Sequence, residues 1–286
     1  MKSNLIAGLL LVGSGLILGS VQAQTLALGS SVQRIKSEGV VRIAVRDRSP
    51  PFAYYEDGKP KGFTWDLCQA VVKDLEVEFK KKIEIKAIPA DLKKSFELLN
   101  SGEVDMQCGA TTHTVEREQQ VNFSVNFFIS GIATAYRKND LAYANPLNFG
   151  RVIVLENSSA QKVIDKRFAT KGSLNIQAVI PVKTYAEGIE KLKKNEADTF
   201  FADSVLMPLD AAVDRRRALD TIEPYSLMLR KGDSELTALV DRSLIKIFKS
   251  NLLKNFITDA KMDGKINNLT LDSWKNPSKE AYPSMY

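Results

Sequence analysis

Short apolar runs of strand character alternate with longer amphipathic stretches along this chain. In the first half, the pattern predicts strands over residues 40–45, 82–88 and 104–108, and helices over 32–38, 63–80 and 92–100. The last of these segments has the pattern of an amphipathic helix, because its apolar residues Leu92, Phe96 and Leu99 are spaced by four and three residues. Ser101-Gly102 ends the pattern. The β-α-β-α-β order predicts an α/β fold.

The second half contains a similar unit, followed by helices over 234–250 and 252–259. Strands are predicted over 152–155, 175–181 and 197–201, and helices over 160–168 and 185–194. Two further β runs, 133–137 and 225–229, each end in a basic and polar turn, where the chain is expected to cross between two lobes. We expect lobe 1 to comprise residues 24–132 and 230–286, and lobe 2 residues 133–229, with a ligand cleft between them.

The N-terminus has the pattern of a secretion signal. Lys2 precedes an apolar stretch over residues 5–18, and Val21-Gln22-Ala23 offers the small residues that a signal peptidase recognises. The apolar stretch, ~14 residues, is shorter than the ~20 needed to span a bilayer, although a membrane anchor is the alternative. We therefore expect a signal peptide over residues 1–23, cleavage after Ala23 and a periplasmic mature chain.

Composition narrows the function further. The net charge of +6 is spread over scattered lysines, so nucleic acid is not expected as a partner. His113 is the only histidine and there are only two cysteines, so neither a metal site nor a cofactor is expected. Cys68 lies early in a helix that should cover the strand ending at Cys108. The pair is a candidate disulfide in an oxidising compartment, with buried free thiols as the alternative.

Four segments carry a resemblance to a known family. The run Cys108-Gly109-Ala110-Thr111-Thr112, with Glu116-Arg117 after it, closely resembles a segment of periplasmic glutamate/aspartate-binding proteins of polar amino acid ABC transporters, solute-binding protein family 3. Segments 45–55, 62–68 and 228–233 fit the same family in the same order. The resemblance implies a two-lobed periplasmic-binding-protein fold of type II.

The resemblance also suggests which residues bind the ligand. Arg117 and Thr112 would hold the α-carboxylate, since a guanidinium matches it as a planar fork. Asp203 would accept the α-ammonium, and Arg46 would meet a side-chain carboxylate. Phe52 would line the cleft wall, and Ser158 with Ser159 would form an anion site at a helix start.

Each of these residues also has a plainer structural interpretation. Arg117 could be a surface arginine paired with an adjacent glutamate, and Asp203 a helix N-cap. Ser158 and Ser159 could be ordinary capping residues, and Phe52 a core residue.

The departures from the family pattern concern the side-chain end of the ligand. Ser95 stands where the family has a second arginine for the side-chain carboxylate, so that arginine is missing here unless Lys93 or Lys94 takes over its role. Tyr185 stands at the family's lobe 2 histidine position. Ala110 replaces a serine and offers only backbone groups. A ligand with a polar or aromatic side chain, hydrogen-bonded by Tyr185 and Ser95, is therefore an alternative to an acidic one. His113 is expected to be partly exposed.

The sequence thus predicts a monomeric, non-enzymatic amino-acid-binding protein of an ABC importer, with a membrane permease as partner. A periplasmic enzyme resembling cyclohexadienyl dehydratase is the second hypothesis, with Glu156 or Asp47 as candidate acid. A sensory ligand-binding module is the third, but no segment after residue 23 is apolar enough to provide its membrane span.

Overall fold

The structure, a computed structural model, describes residues 30–170, 172 and 174–281. The expected signal peptide over residues 1–23 lies outside them. The helices are α1 (Ser31–Glu38), α2 (Phe63–Phe79), α3 (Leu92–Ser101), α4 (Val115–Glu118), α5 (Ser159–Ala169), α6 (Tyr185–Lys193), α7 (Ser234–Phe248), α8 (Leu252–Asp259) and α9 (Asn268–Lys275). The strands are β1 (Val40–Arg46), β2 (Arg48–Ser49), β3 (Ala53–Glu56), β4 (Lys59–Lys61), β5 (Glu84–Ala90), β6 (Met106–Cys108), β7 (Val121–Phe123), β8 (Phe128–Ser130), β9 (Ile132–Arg137), β10 (Asn148–Leu155), β11 (Asn175–Val182), β12 (Thr199–Asp203), β13 (Val213–Arg215), β14 (Glu223–Tyr225) and β15 (Met228–Arg230).

One five-stranded sheet has the order β5-β1-β6-β15-β7, with β1 parallel to β5 and β6. Successive residues of β1 point to opposite faces, so this sheet buries apolar side chains on both. Ile43 belongs to the core that contains Leu67 of α2, and Ala44 to the core that contains Leu99 of α3. Helices therefore cover the sheet on both sides, as α/β patterning predicts.

A second five-stranded sheet has the order β11-β10-β12-β9-β13, with β10 parallel to β11 and β12. Phe201 packs in the core that contains Val163 of α5, whereas Phe200 packs in the core that contains Ile189 of α6. The two sheets give the protein its two-lobed architecture, and the predicted fold class is confirmed.

The chain passes between the sheets along β8 and β14, which pair with each other. Ser130 lies opposite Glu223, and Phe128 opposite Tyr225, in an antiparallel ladder. The predicted single strand over 225–229 is wrong, because Tyr225 pairs within this crossing ribbon whereas Met228 pairs in the first sheet with Gln107 and Phe123.

Cys68 and Cys108 form a disulfide, with Cα atoms 6.5 Å apart, which confirms the predicted pairing. It ties α2 to the end of β6. Within the described ranges, none of the helices is both long and apolar enough to cross a membrane.

Candidate functional site

The carboxyl ends of β1, β6, β10 and β12 converge on the space between the two sheets, where ligands bind in open α/β sheets. Arg46 is the last residue of β1, Gly109 follows β6, and Asp203 is the last residue of β12. Residues from the two sheets meet here, since Arg46 and Leu155 line one cavity with Tyr185, whose hydroxyl bonds to Asp203.

Arg117 is held inside this region by α4, a single turn whose N-cap Thr114 accepts the Arg117 amide at 3.3 Å. The residue is 5% exposed, and its guanidinium donates to the Thr112 carbonyl at 2.9 Å and to the Asn157 carbonyl at 3.4 Å. Burial lowers the pKa of Arg117, although the nearby charges of Glu223 and Asp203 oppose this. Among the described residues no carboxylate forms an ion pair with it, so the surface-pair alternative does not describe its position.

Asp203 is buried and accepts hydrogen bonds from two tyrosines, Tyr225 at 2.5 Å and Tyr185 at 3.2 Å. Burial, followed by the neighbouring charge of Glu223, raises the pKa of this carboxyl to about 7. The residues after Asp203 form turns, so it is not the helix N-cap of the alternative interpretation. In its ionised form this carboxyl group can accept a cationic donor.

Glu223 is a second buried acid that the sequence interpretation missed. It accepts from the Ser159 hydroxyl at 2.7 Å and from the Thr221 hydroxyl at 2.6 Å. Ser158 caps α5, since its Oγ accepts the Gln161 amide at 3.0 Å. The hydroxyls of Ser158 and Ser159 thus have partners within the protein.

Arg46 is 8% exposed, and its Nε is buried with no hydrogen-bond partner in the described part of the chain. Gly109 permits this position, because a Cβ there would lie 2.1 Å from Arg46 Cγ and 2.5 Å from Gln107 Nε2. A buried N–H group without an acceptor is costly, so a ligand that brings an acceptor to Arg46 Nε would stabilise it.

Arg46 and Tyr185 also line a cavity of about 210 Å³, which we call the cleft cavity. Its wall consists of Arg46, Asp47, Arg48, Asp91, Leu92, Lys93, Leu155, Glu156, Asn157, Lys183 and Tyr185. The other predicted ligand residues are not in this wall. Tyr185 links this cavity to the buried acid, since it lines the cavity and its hydroxyl donates to Asp203.

Several predicted residues lie away from the cleft cavity. Phe52 is fully buried and packs edge-to-face on Tyr225, 5.3 Å between ring centroids, so it supports that tyrosine. Ala110 packs against the core, and the Ser95 hydroxyl donates to the Asp91 carbonyl at 2.7 Å. The expected partial exposure of His113 is wrong: it is 1% exposed, stacks on Phe123 and bonds to Glu118 at 2.7 Å.

The site thus contains two buried arginines (Arg46 and Arg117), two buried acids (Asp203 and Glu223) and the hydroxyls of Tyr185 and Tyr225. It can therefore bind a small molecule that carries both a positive and a negative group. Within residues 30–170, 172 and 174–281, no group of three or more potential metal ligands occurs.

The sequence is similar to those of known amino-acid-binding proteins. The glutamate/aspartate import solute-binding protein of Salmonella typhimurium is 25% identical over 250 residues, covering 84% of this chain and 82% of that protein. The L-glutamate/L-aspartate-binding protein of Pseudomonas aeruginosa is 27% identical, covering 86% of this chain and 80% of the relative.

Solved structures show the same fold. An ancestral amino acid-binding protein, a precursor of cyclohexadienyl dehydratase, matches with a TM-score of 0.69 at 22% identity, covering 80% of this chain and 98% of its own. The solute receptor for L-cysteine of Neisseria gonorrhoeae matches with a TM-score of 0.68 at 20% identity, covering 85% of this chain and 98% of its own. The family model for bacterial extracellular solute-binding proteins, family 3, matches residues 41–268, and this chain belongs to that family.

Proposed function

We propose that the protein is the periplasmic amino-acid-binding component of an ABC importer, and that its ligand is a polar or acidic amino acid such as glutamate or aspartate. The observation that carries the proposal is that Arg117 and Asp203 are both buried, and that the charge of Asp203 acts on Arg117 although the two side chains form no ion pair. These two groups match the α-carboxylate and α-ammonium of an amino acid. The names of the relatives support glutamate and aspartate as the first ligands to test.

The contacts that α4 makes with α5 and with the turn before α5 fit a cleft that closes over its ligand. The Arg117 guanidinium reaches the Asn157 carbonyl, and Glu116 pairs with Lys162 at 2.7 Å. Residues on the first sheet's side thereby touch residues on the second sheet's side. We propose lobes of residues 24–132 with 230–286 and of residues 133–229, hinged at the crossing ribbon, with the closed form presented to a membrane permease.

We also propose that the mature chain begins at Gln24, acts as a monomer and catalyses no reaction. The acids weighed for catalysis, Glu156 and Asp47, border the cleft cavity, and Asp47 pairs with Arg48 at 3.2 Å. Incubation with a cyclohexadienyl substrate should leave the substrate intact. Turnover that is lost in Glu156→Gln would replace this proposal with the enzymatic one.

A thermal-shift screen over the common amino acids, followed by calorimetry, tests the function. A ligand at 100 times its Kd raises the free energy of unfolding by about 2.7 kcal/mol. We expect glutamate, aspartate or a neutral polar amino acid to give this shift, and Arg117→Ala to abolish it. If none of the common amino acids shifts the wild-type protein, the proposed ligand class is incorrect.

A further inference from the structure

A second and larger cavity, of about 540 Å³, lies beside the crossing strand β8 and shares no wall residue with the cleft cavity. We call it the hinge cavity. Its wall consists of Phe128, Ser130, Gly131, Ser204, Val205, Met207, Pro208, Leu209, Arg215, Arg217, Leu219, Gly264, Lys265 and Asn267. These residues come from β8, from the turns after β12, from β13 with the segment after it, and from the turn before α9.

The charges in this wall are all positive. Arg215, Arg217 and Lys265 line the hinge cavity, and its wall contains neither aspartate nor glutamate. None of the three cations forms an ion pair with a carboxylate of the described chain. This differs from the cleft cavity, where acids such as Asp91 and Glu156 accompany the cations.

Two of these cations converge on one short segment. The Arg215 guanidinium donates to the Ser204 carbonyl at 2.9 Å, and the Lys265 ammonium lies 3.5 Å from the Val205 carbonyl. These carbonyls belong to consecutive residues, so both cations are held at one segment of the wall, which supplies no counter-charge. An anion in the hinge cavity could pair with these cations and accept hydrogen bonds from them.

The rest of the wall is mixed: Ser130, Ser204 and Asn267 are polar, and six side chains are apolar, namely Phe128, Val205, Met207, Pro208, Leu209 and Leu219. Phe128 and Met207 are buried, whereas Leu209 and Leu219 are 38% and 47% exposed. Exposed large apolar side chains beside a cavity mark places where burial by a ligand is favourable. A ligand that satisfies the whole wall therefore needs an apolar body as well as a negative group.

We propose that the hinge cavity binds a small amphipathic anion, a carboxylate carried on an apolar chain. A free amino acid does not fit this chemistry, because no acid in the wall would receive its ammonium group. The site is therefore distinct from the cleft in both position and ligand class, and it does not depend on the identity of the cleft ligand.

Calorimetric titration with octanoate tests the site, with octanol as a neutral probe of similar shape and butyrate as a short anion. We expect octanoate to bind at one site, and octanol and butyrate to bind at least about tenfold more weakly, since each lacks one of the two required features. No heat of binding from octanoate at millimolar concentration, or equal binding of octanol, would overturn the proposal.

Variants locate the site. Lys265→Gln and Arg215→Gln should each weaken octanoate binding by about tenfold, and the double variant by about a hundredfold. Lys249→Gln, an exposed lysine outside the hinge cavity, is the matched control and should stay within about twofold. Thermal unfolding by circular dichroism checks that each variant is folded. Octanoate binding unchanged in a folded double variant would place the ligand elsewhere and refute the assignment.

Discussion

The Tyr225 hydroxyl donates a hydrogen bond of 2.5 Å to Oδ1 of Asp203, while Tyr185 donates to Oδ2 of the same carboxylate. Both tyrosines stabilise the ionised form of Asp203, yet burial and the nearby charge of Glu223 still raise the pKa of this carboxyl to about 7. The empty protein therefore has a proton on Asp203 in part of its molecules at neutral pH. A ligand ammonium needs the ionised form.

We accordingly expect ligand affinity to fall as the pH drops below the Asp203 pKa of about 7. Well below that pKa the loss should approach about tenfold per pH unit, because binding must first release a proton. Calorimetry in buffers of different ionisation enthalpy would detect the released proton. An affinity that does not vary between about pH 5.5 and 8 would contradict this role of Asp203.

The Asp203→Asn variant is the control for that prediction and separates binding from stability. A folded-state pKa above the unfolded value means that Asp203 contributes stability below the unfolded pKa and loses it as pH rises through about 7. The asparagine variant should therefore bind ligand far more weakly, while its free energy of unfolding at pH 8 rises by ~1–3 kcal/mol in urea titrations.

Arg117→Ala should abolish measurable ligand binding while the fold persists. Removing one partner of a buried ion pair with the ligand costs about 2–5 kcal/mol, which corresponds to a loss of roughly 30-fold to several thousandfold in affinity. Calorimetry measures the loss, and far-UV circular dichroism checks the fold. Glu116→Gln removes only the Lys162 ion pair on the same helical turn and should bind almost normally. Near-native affinity in Arg117→Ala would remove it from the site.

Selectivity between acidic and neutral ligands should be modest. Arg46 is a buried guanidinium in the cleft cavity wall, and the Ser95 hydroxyl is already used by the Asp91 carbonyl. Pairing with one cation offsets less of the desolvation cost of a ligand carboxylate than pairing with two. Competition binding should place glutamate and aspartate within about tenfold of the best neutral polar amino acid.

Lys93 provides the check on that selectivity. It lines the cleft cavity, whereas Lys94 lies 3.7 Å from Glu97. A preference of about a hundredfold for glutamate that disappears in Lys93→Gln but not in Lys94→Gln would show that Lys93 replaces the missing arginine. The prediction of modest selectivity would then be wrong.

Gly109→Ala should displace Arg46. The new Cβ would lie 2.1 Å from Arg46 Cγ, so the side chain must move. We expect about tenfold weaker binding of an acidic ligand and a loss of ~1–3 kcal/mol in stability, as for other overpacked sites. A Cβ at Gly172 meets no atom within 4 Å, so Gly172→Ala is the control. Unchanged affinity for the acidic ligand would show that Arg46 does not contact it.

Removing the disulfide should destabilise the protein. Cys68 and Cys108 are 40 residues apart, and closing a loop of that length restricts the unfolded chain by roughly 4 kcal/mol. The double variant Cys68→Ser, Cys108→Ser should lose about this much in denaturant titrations while retaining ligand binding. Two thiols that alkylate in the folded, unreduced protein would contradict the pairing itself.

Many helices and strands were predictable because their formation depends on the local sequence. The strand over 40–45 and the helix over 92–100 differ from β1 and α3 by one residue at one end. The hairpin of β3 and β4 was missed, although Asp57-Gly58 signals its turn, with φ of 50° and 72°. The strand break after Tyr225 was not predictable, since it depends on partners about a hundred residues away.

The residues of the candidate site could be predicted only within the segments that resemble the family. The position of Arg117 follows from its motif, but its burial beside Glu223 depends on a strand that returns from the second sheet. Glu223-Pro224 looks like a polar turn in the sequence, and nothing local indicates that the glutamate side chain is 2% exposed. Likewise, no local pattern could show that the Tyr185 hydroxyl is occupied by Asp203 instead of being free for a ligand.

The pairing of Ser130 with Glu223 also has a consequence for protein engineering. Opposed residues of an antiparallel pair lie about 5 Å apart, so the segment between them has its two ends side by side. A turn of a few residues could then join residue 130 to residue 223 after excision of the second sheet. We expect this segment to behave as an exchangeable cassette, which a related protein could supply without changing the remaining scaffold.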